Sequence, residues 1–156
     1  MAFTIRRATR ADAARIAEVI HASFLEFVPI FDPPTSACKE TEETIFAKLE
    51  NSWAFVAEAE GQIVGSVFGG PCEDYCYLFR LSVLLEFRKG GIGRALVERV
   101  EVEARSHHIG SIQLKTRLAV PKNIIFYESL GYEKIGEVGN ELCHRPFFAV
   151  MTKDLV

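Results

Sequence analysis

The sequence predicts a mixed α/β domain, with a central sheet of about seven strands flanked by about four helices. Three observations support this class. Several segments place apolar residues every three or four positions, which is typical of amphipathic helices. Other segments alternate or are rich in branched and aromatic residues, as strands are. Finally, the two kinds of segment are interleaved along 156 residues without a linker, which predicts one domain over residues 1–156.

The first part of the chain indicates one strand and two helices. Residues 3–8 alternate as a strand does, and Thr9 with Asp12 resembles a capping box at the start of a helix. Apolar residues then recur at helical spacing as far as Phe27. Consecutive prolines end this helix, and residues 39–51 predict a second one.

The remainder of the chain indicates strands that alternate with two more helices. Residues 53–70 predict two strands joined by a turn at Glu60 and Gly61, and residues 75–84 predict a long strand. A helix of about four turns follows from Ile92. The last third then predicts a strand at 111–116, a short helix at 121–131 and two closing strands at 132–138 and 145–155.

Composition excludes several classes of protein. The net charge of −3 argues against a nucleic-acid-binding domain, which usually carries a basic surface. No apolar run reaches the roughly 20 residues that span a bilayer, and the N-terminus lacks the pattern of a signal peptide, so we expect a cytoplasmic protein. The four cysteines match no common zinc pattern, and no metal is predicted.

The stretch LSVLLEFRKGGIGRAL, residues 81–96, has three glycines at the start of a predicted helix. A helix N-terminus leaves several N–H groups without partners and has a partial positive charge, which favours anions. Glycines let the backbone approach a ligand closely. Basic side chains stand on both sides of the glycines, so the stretch predicts a pyrophosphate site. Those side chains are Arg88, Lys89 and Arg94.

Two common phosphate-binding motifs do not fit this stretch. A nucleotide P-loop requires Gly-Lys followed by Ser or Thr, and this tripeptide does not occur. A dinucleotide fingerprint requires a third glycine where this chain has Leu96, and its strand belongs to an early βαβ unit, whereas here a meander comes first.

The arrangement Arg88-x-x-Gly91-x-Gly93 resembles the [RQ]xxGx[GA] signature of the GNAT superfamily of N-acetyltransferases. The segment RLAVPKNIIFYESLGYEKIGE resembles a second motif of that family, and IRRATRADAARIAEVI resembles its first strand and helix. Many members carry a proline where this chain has Leu85, a departure that removes no ligand group.

The resemblance implies the GNAT fold, acetyl-CoA as donor and coenzyme A as product. It implies that the loop binds the pyrophosphate, that the preceding strand diverges from its neighbour and pairs with the pantetheine arm, and that Asn123 contacts the donor. Tyr127 lies where the family often has a general acid for the departing thiolate. The implied donor-binding residues are Leu81, Ser82, Val83, Arg88, Lys89, Gly90, Gly91, Ile92, Gly93, Arg94, Asn123 and Tyr127.

The base and the acceptor are less defined by the sequence. Glu73, Asp74 and Glu26 are candidate bases, although many family members use water. The acceptor groove is expected to contain Phe27 and Phe31 beside Glu26, as an aromatic and acidic pocket for a cationic amine with an apolar body.

Three functions remain open at this point. The first is transfer of an acetyl group to a primary amine of a small molecule or peptide. The second is a non-catalytic acyl-CoA-binding module, and a weaker third is a nucleotide-binding α/β protein. A homodimer is also expected, because edge strands near the C-terminus invite pairing.

Overall fold

In the computed structural model, which describes residues 2–141 and 143–156, seven strands form one sheet with α-helices on both faces. The strands are β1 (Thr4–Arg7), β2 (Trp53–Ala59), β3 (Gln62–Cys72), β4 (Tyr75–Val83), β5 (Ser111–Arg117), β6 (Glu133–Val138) and β7 (Phe148–Asp154). The helices are α1 (Ala13–Phe24), α2 (Glu42–Asn51), α3 (Ile92–Ser106) and α4 (Pro121–Ser129). This confirms the predicted class and the predicted order of elements.

Helices cover both faces of the sheet because its inner strands are apolar on both sides. In β2, Ala54 and Val56 belong to a buried cluster with residues of α1 and α2. The intervening Phe55 and Ala57 belong to a second cluster, with residues of α3. Successive strand residues point to opposite faces, so a continuous apolar run is buried on both sides.

The predicted capping box is present, but it closes a short turn before the first α-helix. The Asp12 carboxylate accepts a hydrogen bond from the Thr9 N–H at 2.7 Å and pairs with Arg6 at 2.8 Å. A single 3₁₀ turn spans Arg10–Asp12, and α1 continues from it. This arrangement fixes the direction in which α1 leaves β1.

Strands β4 and β5 diverge in the middle of the sheet. The strand order is β1-β2-β3-β4-β5-β7-β6, and β4 with β5 is the parallel pair among the described strands. These two strands pair at Cys76 with Ile112 and at Tyr77 with Gln113. Beyond Tyr77, Arg80 has a φ of 54° and lies in a bulge, where two residues of β4 oppose one residue of β3. A bulge bends its strand, and β4 turns away from β5.

The ends of the sheet are β1 and β6. The C-terminal edge is therefore β6, while the last strand β7 lies between β5 and β6. The expected homodimer stays a prediction. Within the two described ranges, none of the helices combines the length and the apolar character needed to cross a bilayer.

A buried carboxylate holds the bulge in place. Glu40 is 3% exposed and accepts hydrogen bonds from Arg80 at 2.8 Å, Lys48 at 3.1 Å and Thr44 at 2.7 Å. Burial alone would raise the pKa of Glu40, but these hydrogen bonds outweigh it and lower the pKa below its ordinary value. The bent part of β4 is thereby tied to the segment before α2.

We expect Glu40→Gln to lower the free energy of unfolding by about 3 kcal/mol at neutral pH, because Arg80 and Lys48 lose their shared counter-charge in a buried place. A carboxyl with a lowered folded pKa stabilises the protein above its unfolded pKa and loses that effect as the pH falls through the folded value. The difference between native protein and variant should therefore shrink in acid. Urea unfolding at several pH values measures it.

The matched control is Glu50→Gln on α2, whose carboxylate is largely exposed. This change should move the unfolding free energy by less than about 0.5 kcal/mol. Equal effects of the two substitutions at neutral pH would contradict the assigned role of Glu40.

Candidate functional site

A cavity of about 380 Å³ lies where the end of β4, the start of α3 and α4 meet. We call it the glycine-loop cavity. It is lined by Ser23, Phe24, Phe27, Leu81, Ser82, Val83, Arg88, Lys89, Gly91, Gly93, Arg94, Lys122, Asn123, Phe126 and Tyr127.

The loop before α3 has the backbone geometry of an anion site. Gly91 is the N-cap of α3 with a φ of 92°, and no side chain caps the helix there. Lys89, two residues earlier, has a φ of 67°. Backbone with left-handed residues turns successive N–H groups toward one point, and the first helical turn adds N–H groups that have no intrahelical partner. The loop therefore presents converging donors to the cavity.

The third glycine of the loop serves packing. A Cβ atom at Gly93 would lie 3.3 Å from Cζ of Phe126 on α4. Most side-chain contacts are looser than this, so a larger residue would push α4 away from α3. Gly93 thus lets α4 close one side of the cavity.

Arg88 fixes the loop to its neighbours. Its Nε donates to the Val83 carbonyl at 3.0 Å, and one Nη donates to the Ser23 carbonyl at 3.0 Å. The other Nη pairs with the Glu26 carboxylate. Arg88 lines the cavity, but Glu26 balances its charge, so its main effect is to hold β4, the loop and the end of α1 together.

The positive potential of the cavity comes from other side chains. Lys89 and Lys122 make no ion pair within the part of the chain that the structure describes. Lys122 lies 5.5 Å from the ring centre of Phe27. Arg94 adds a third cation, although it pairs with Glu98 at 2.7 Å on the exposed side of α3. Together with the helix N-terminus they favour an anionic ligand.

Ten of the twelve sequence-predicted donor residues line this cavity, and the other two do not. Gly90 is exposed in the loop, and the Ile92 side chain is 1% exposed in the core. The residues that line it are Leu81, Ser82, Val83, Arg88, Lys89, Gly91, Gly93, Arg94, Asn123 and Tyr127.

A second cavity, of about 360 Å³, occupies the opening between β4 and β5. We call it the aromatic cavity. It is lined by Phe24, Phe27, Phe31, Pro33, Pro34, Thr35, Ser36, Tyr77, Leu78, Phe79, Arg80, Leu81, Leu114, Lys115, Thr116, Arg117, Asn123, Tyr127, Asn140, Phe147 and Phe148. Phe27 and Phe31 are stacked with ring centres 5.3 Å apart, and both face this cavity as expected.

Tyr127 lies where the two cavities meet. Its side chain is 8% exposed and touches the rings of Phe126 and Tyr132, with centres 5.1 and 5.8 Å away. Its hydroxyl has no hydrogen-bond partner among the described residues. Burial raises the pKa of Tyr127 well above its ordinary value, so the phenol keeps its proton at neutral and mildly alkaline pH.

The candidate bases lie elsewhere. Glu73 and Asp74 form the turn between β3 and β4, roughly 25 Å along the strand from Leu81 at about 3.3 Å per residue. Glu26 is occupied by Arg88. In the described parts of the chain, no Asp, Glu, His or Cys lines either cavity. These three carboxylates therefore do not join Tyr127 in the site.

The expected acidic acceptor pocket is also corrected, because the charged side chains of the aromatic cavity are basic. They are Arg80, Lys115 and Arg117. Arg80 is neutralised by Glu40. Asp32, an acidic residue close to Phe31 in the sequence, is exposed and pairs with Arg145 at 3.1 Å.

Sequence reasoning missed Arg80, Lys122 and Arg117. Lys122 stands beside Asn123 in the second motif, so its position carried a signal that could have been used. Arg117 lies in a strand whose alternation predicts a solvent-facing side chain. Around Arg80 the strand does not alternate, so the sequence gives no side for its side chain.

A sequence model of the acetyltransferase (GNAT) domain matches residues 50–134, more than half of the chain. N-acetyltransferase 8 of Rattus norvegicus is 39% identical over 112 residues, which cover 65% of this chain and 50% of that protein. N-acetyltransferase 8 of Mus musculus is 34% identical over 112 residues, which cover 65% and 49%. The chain spans about half the length of these curated relatives.

Solved structures share the fold. The PaiA N-acetyltransferase from Thermoplasma acidophilum, in complex with coenzyme A, superposes with a TM-score of 0.82 at 19% identity, covering 99% of each chain. The ribosomal-protein-S18-alanine N-acetyltransferase from Escherichia coli gives a TM-score of 0.78 at 20% identity, covering 99% of this chain and 94% of that one. With the glycine loop, the diverging strands and the matched domain, the chain belongs to the GNAT acetyltransferase family.

Proposed function

We propose that the protein transfers the acetyl group of acetyl-CoA to a primary amine. The observation that carries this proposal is the junction of the two cavities. Leu81, Asn123 and Tyr127 line both of them. One cavity offers converging N–H groups and cations to an anionic donor, and the other offers an apolar space to an acceptor. A thioester that extends from the first cavity would meet an amine from the second beside Tyr127.

The donor fits the residues of the glycine-loop cavity. The pyrophosphate would bind the N–H groups around Gly91, with Lys89 and Lys122 nearby. The peptide-like pantetheine arm would pair with the edge of β4 at Leu81 and Ser82, where β5 has diverged. One structural neighbour in the same fold, the Thermoplasma protein, was solved in complex with coenzyme A, which supports this choice of donor.

The reaction exchanges one bond for another. The neutral amine nitrogen bonds to the carbonyl carbon of the thioester, the carbon–sulfur bond breaks, the nitrogen loses one proton and the sulfur gains one. Backbone N–H groups of β4 near Leu81 can stabilise the oxyanion. Tyr127 would protonate the sulfur. Because burial raises its pKa, Tyr127 keeps the proton that it would donate.

The proton of the attacking amine would leave through water. The described linings contain no carboxylate or imidazole that could accept it. An amine that enters the buried cavity also favours its neutral form, since desolvation lowers the pKa of a cationic amine.

The absence of a carboxylate or imidazole from the described linings favours a second candidate. Such linings suit an acyl-CoA-binding module that performs no chemistry. Tyr127 argues for the enzyme, because its unpartnered hydroxyl faces the junction of the cavities.

Calorimetric titration with acetyl-CoA, followed by an amine panel with detection of free thiol, separates these candidates. Binding together with amine-dependent thiol release supports the transferase. Binding with no release on any amine supports the module. A folded protein that binds neither acetyl-CoA nor coenzyme A would contradict both.

A further inference from the structure

Arg117 is a buried cation at the wall of the aromatic cavity. It is the last residue of β5, and its side chain is 9% exposed. The guanidinium carbon lies 4.5, 4.8 and 5.0 Å from the ring centres of Phe31, Phe147 and Phe148. Three aromatic faces thus surround one permanent positive charge.

This charge has no counter-ion among the residues that the structure describes. Within the described ranges, Arg117 makes no ion pair and donates no hydrogen bond. The carboxylate with a favourable electrostatic effect on it is Asp32, which is exposed and engaged by Arg145. Burial lowers the pKa of Arg117, yet a guanidinium stays charged in proteins.

Such an arrangement is costly unless an anion completes it. An isolated buried charge loses hydration, and cation–π contacts recover only part of that loss. The other basic groups of the cavity do not replace an anion beside Arg117, because Arg80 already pairs with Glu40 and Lys115 adds positive charge. A side chain that only filled space here would be better as an apolar one.

We propose that the acceptor is a primary amine that also carries a carboxylate, and that Arg117 binds this carboxylate. The inference deepens the proposed function and rests on it. The planar guanidinium matches a carboxylate through paired hydrogen bonds. The phenylalanine rings of the same cavity would hold the apolar body of the acceptor, and its amine would point toward Tyr127 at the junction with the donor.

A single guanidinium favours a carboxylate over a phosphate. The described lining brings no second unpaired and buried cation beside Arg117, because Lys115 is exposed. A dianionic phosphate group usually needs more than one such partner. An aminoalkyl phosphate is therefore one arm of the test.

Binding can be tested without catalysis. The probe is 3-phenylpropionate, which has the carboxylate and an aromatic body but no amine, and its matched control is 3-phenylpropionamide. Calorimetry on the protein saturated with coenzyme A should detect the acid and not the amide. Arg117→Gln should weaken binding of the acid at least about tenfold, as expected for removal of one partner of a buried charge pair.

The control substitution is Arg10→Gln. Arg10 also lies over a phenylalanine ring, Phe46 at 4.3 Å, but it is 72% exposed and far from both cavities in the fold. It should leave binding unchanged. Arg117 has no hydrogen-bond partner in the described chain, so Arg117→Gln and the apolar Arg117→Met should both stay folded. Equal loss of acid binding in the two variants would show that the loss does not come from misfolding of one of them.

Acetylation rates of different amines give a second test of the carboxylate site. Phenylalanine should be acetylated in preference to phenethylamine, phenylalaninamide and phosphoethanolamine. In Arg117→Gln the KM for phenylalanine should rise at least about tenfold, while the KM for acetyl-CoA stays within about twofold.

Different outcomes would contradict the carboxylate site and the transferase. Equal binding of acid and amide by the native protein, or unchanged binding of the acid by Arg117→Gln, overturns the carboxylate site. Preference for phosphoethanolamine or for carboxylate-free amines does the same. Acid binding lost in Arg117→Gln, with no thiol release on any amine, keeps the carboxylate site and contradicts the transferase.

Discussion

Replacement of Tyr127 by phenylalanine is expected to lower kcat about 10²-fold and to leave the affinity for acetyl-CoA within about twofold. The hydroxyl that this change removes makes no hydrogen bond within the described protein, so stability should hardly change. The ring contacts with Phe126 and Tyr132 remain. The loss would therefore fall on the step in which the thiolate leaves.

The pH dependence of this variant adds a check. Since burial raises the pKa of Tyr127, the native phenol remains protonated as the solution becomes moderately alkaline. Native kcat should not fall in that range through ionisation of Tyr127. In the variant, water must supply the proton that the leaving thiolate accepts. Steady-state kinetics across this pH range measure kcat for both proteins.

The control is Tyr75→Phe. Tyr75 is the half-buried first residue of β4, beside the β3–β4 turn. This substitution should leave kcat within about twofold. If Tyr127→Phe turns over as fast as the native protein, another group or water protonates the sulfur, and the assignment of Tyr127 fails.

Gly91→Asp is expected to reduce the affinity for acetyl-CoA at least about 100-fold, or about 2.7 kcal/mol. The φ of 92° strains any residue with a Cβ atom. The new carboxylate would stand at the helix N-terminus where we propose that the pyrophosphate binds, and it would repel that group. Open space surrounds the position, so the fold should accept the side chain.

Gly61→Asp is a matched control for this change. Gly61 has a φ of 75° in the β2–β3 turn, and an added Cβ there also meets no atom within 4 Å. Both variants carry the same strain and the same charge, but Gly61 lines neither cavity. Calorimetry should find affinity lost in Gly91→Asp and kept in Gly61→Asp; equal affinities would place the donor elsewhere.

The fold could be predicted from the sequence because its signals are local. Periodicity distinguishes each helix from each strand, and glycines mark the turn at Gly61 and the start of α3 at Gly91. Phe27 and Phe31, which the sequence analysis assigned to an acceptor groove, line the aromatic cavity, and their role as acceptor-binding residues stays a prediction.

The electrostatics of the site could not be predicted, because the decisive pairs join distant parts of the chain. Glu26 was expected to serve the acceptor, but it pairs with Arg88, 62 positions later. Arg117 ends an alternating strand, which predicts exposure, but phenylalanines from two other segments bury it. A left-handed Arg80 has no local signature, since arginine is not a residue that favours this conformation.

The divergence of β4 from β5 has a consequence for stability. A sheet that opens in its middle has two internal edges in addition to its outer ones. Among the described strands, β4 has no pairing with β5 beyond Tyr77, so the edge of β4 near Leu81 borders this opening. A ligand arm that pairs there acts as an added strand and ties the two halves of the sheet together. A ligand bound in this opening would therefore raise the free energy of unfolding, and the increase would grow with ligand concentration by mass action.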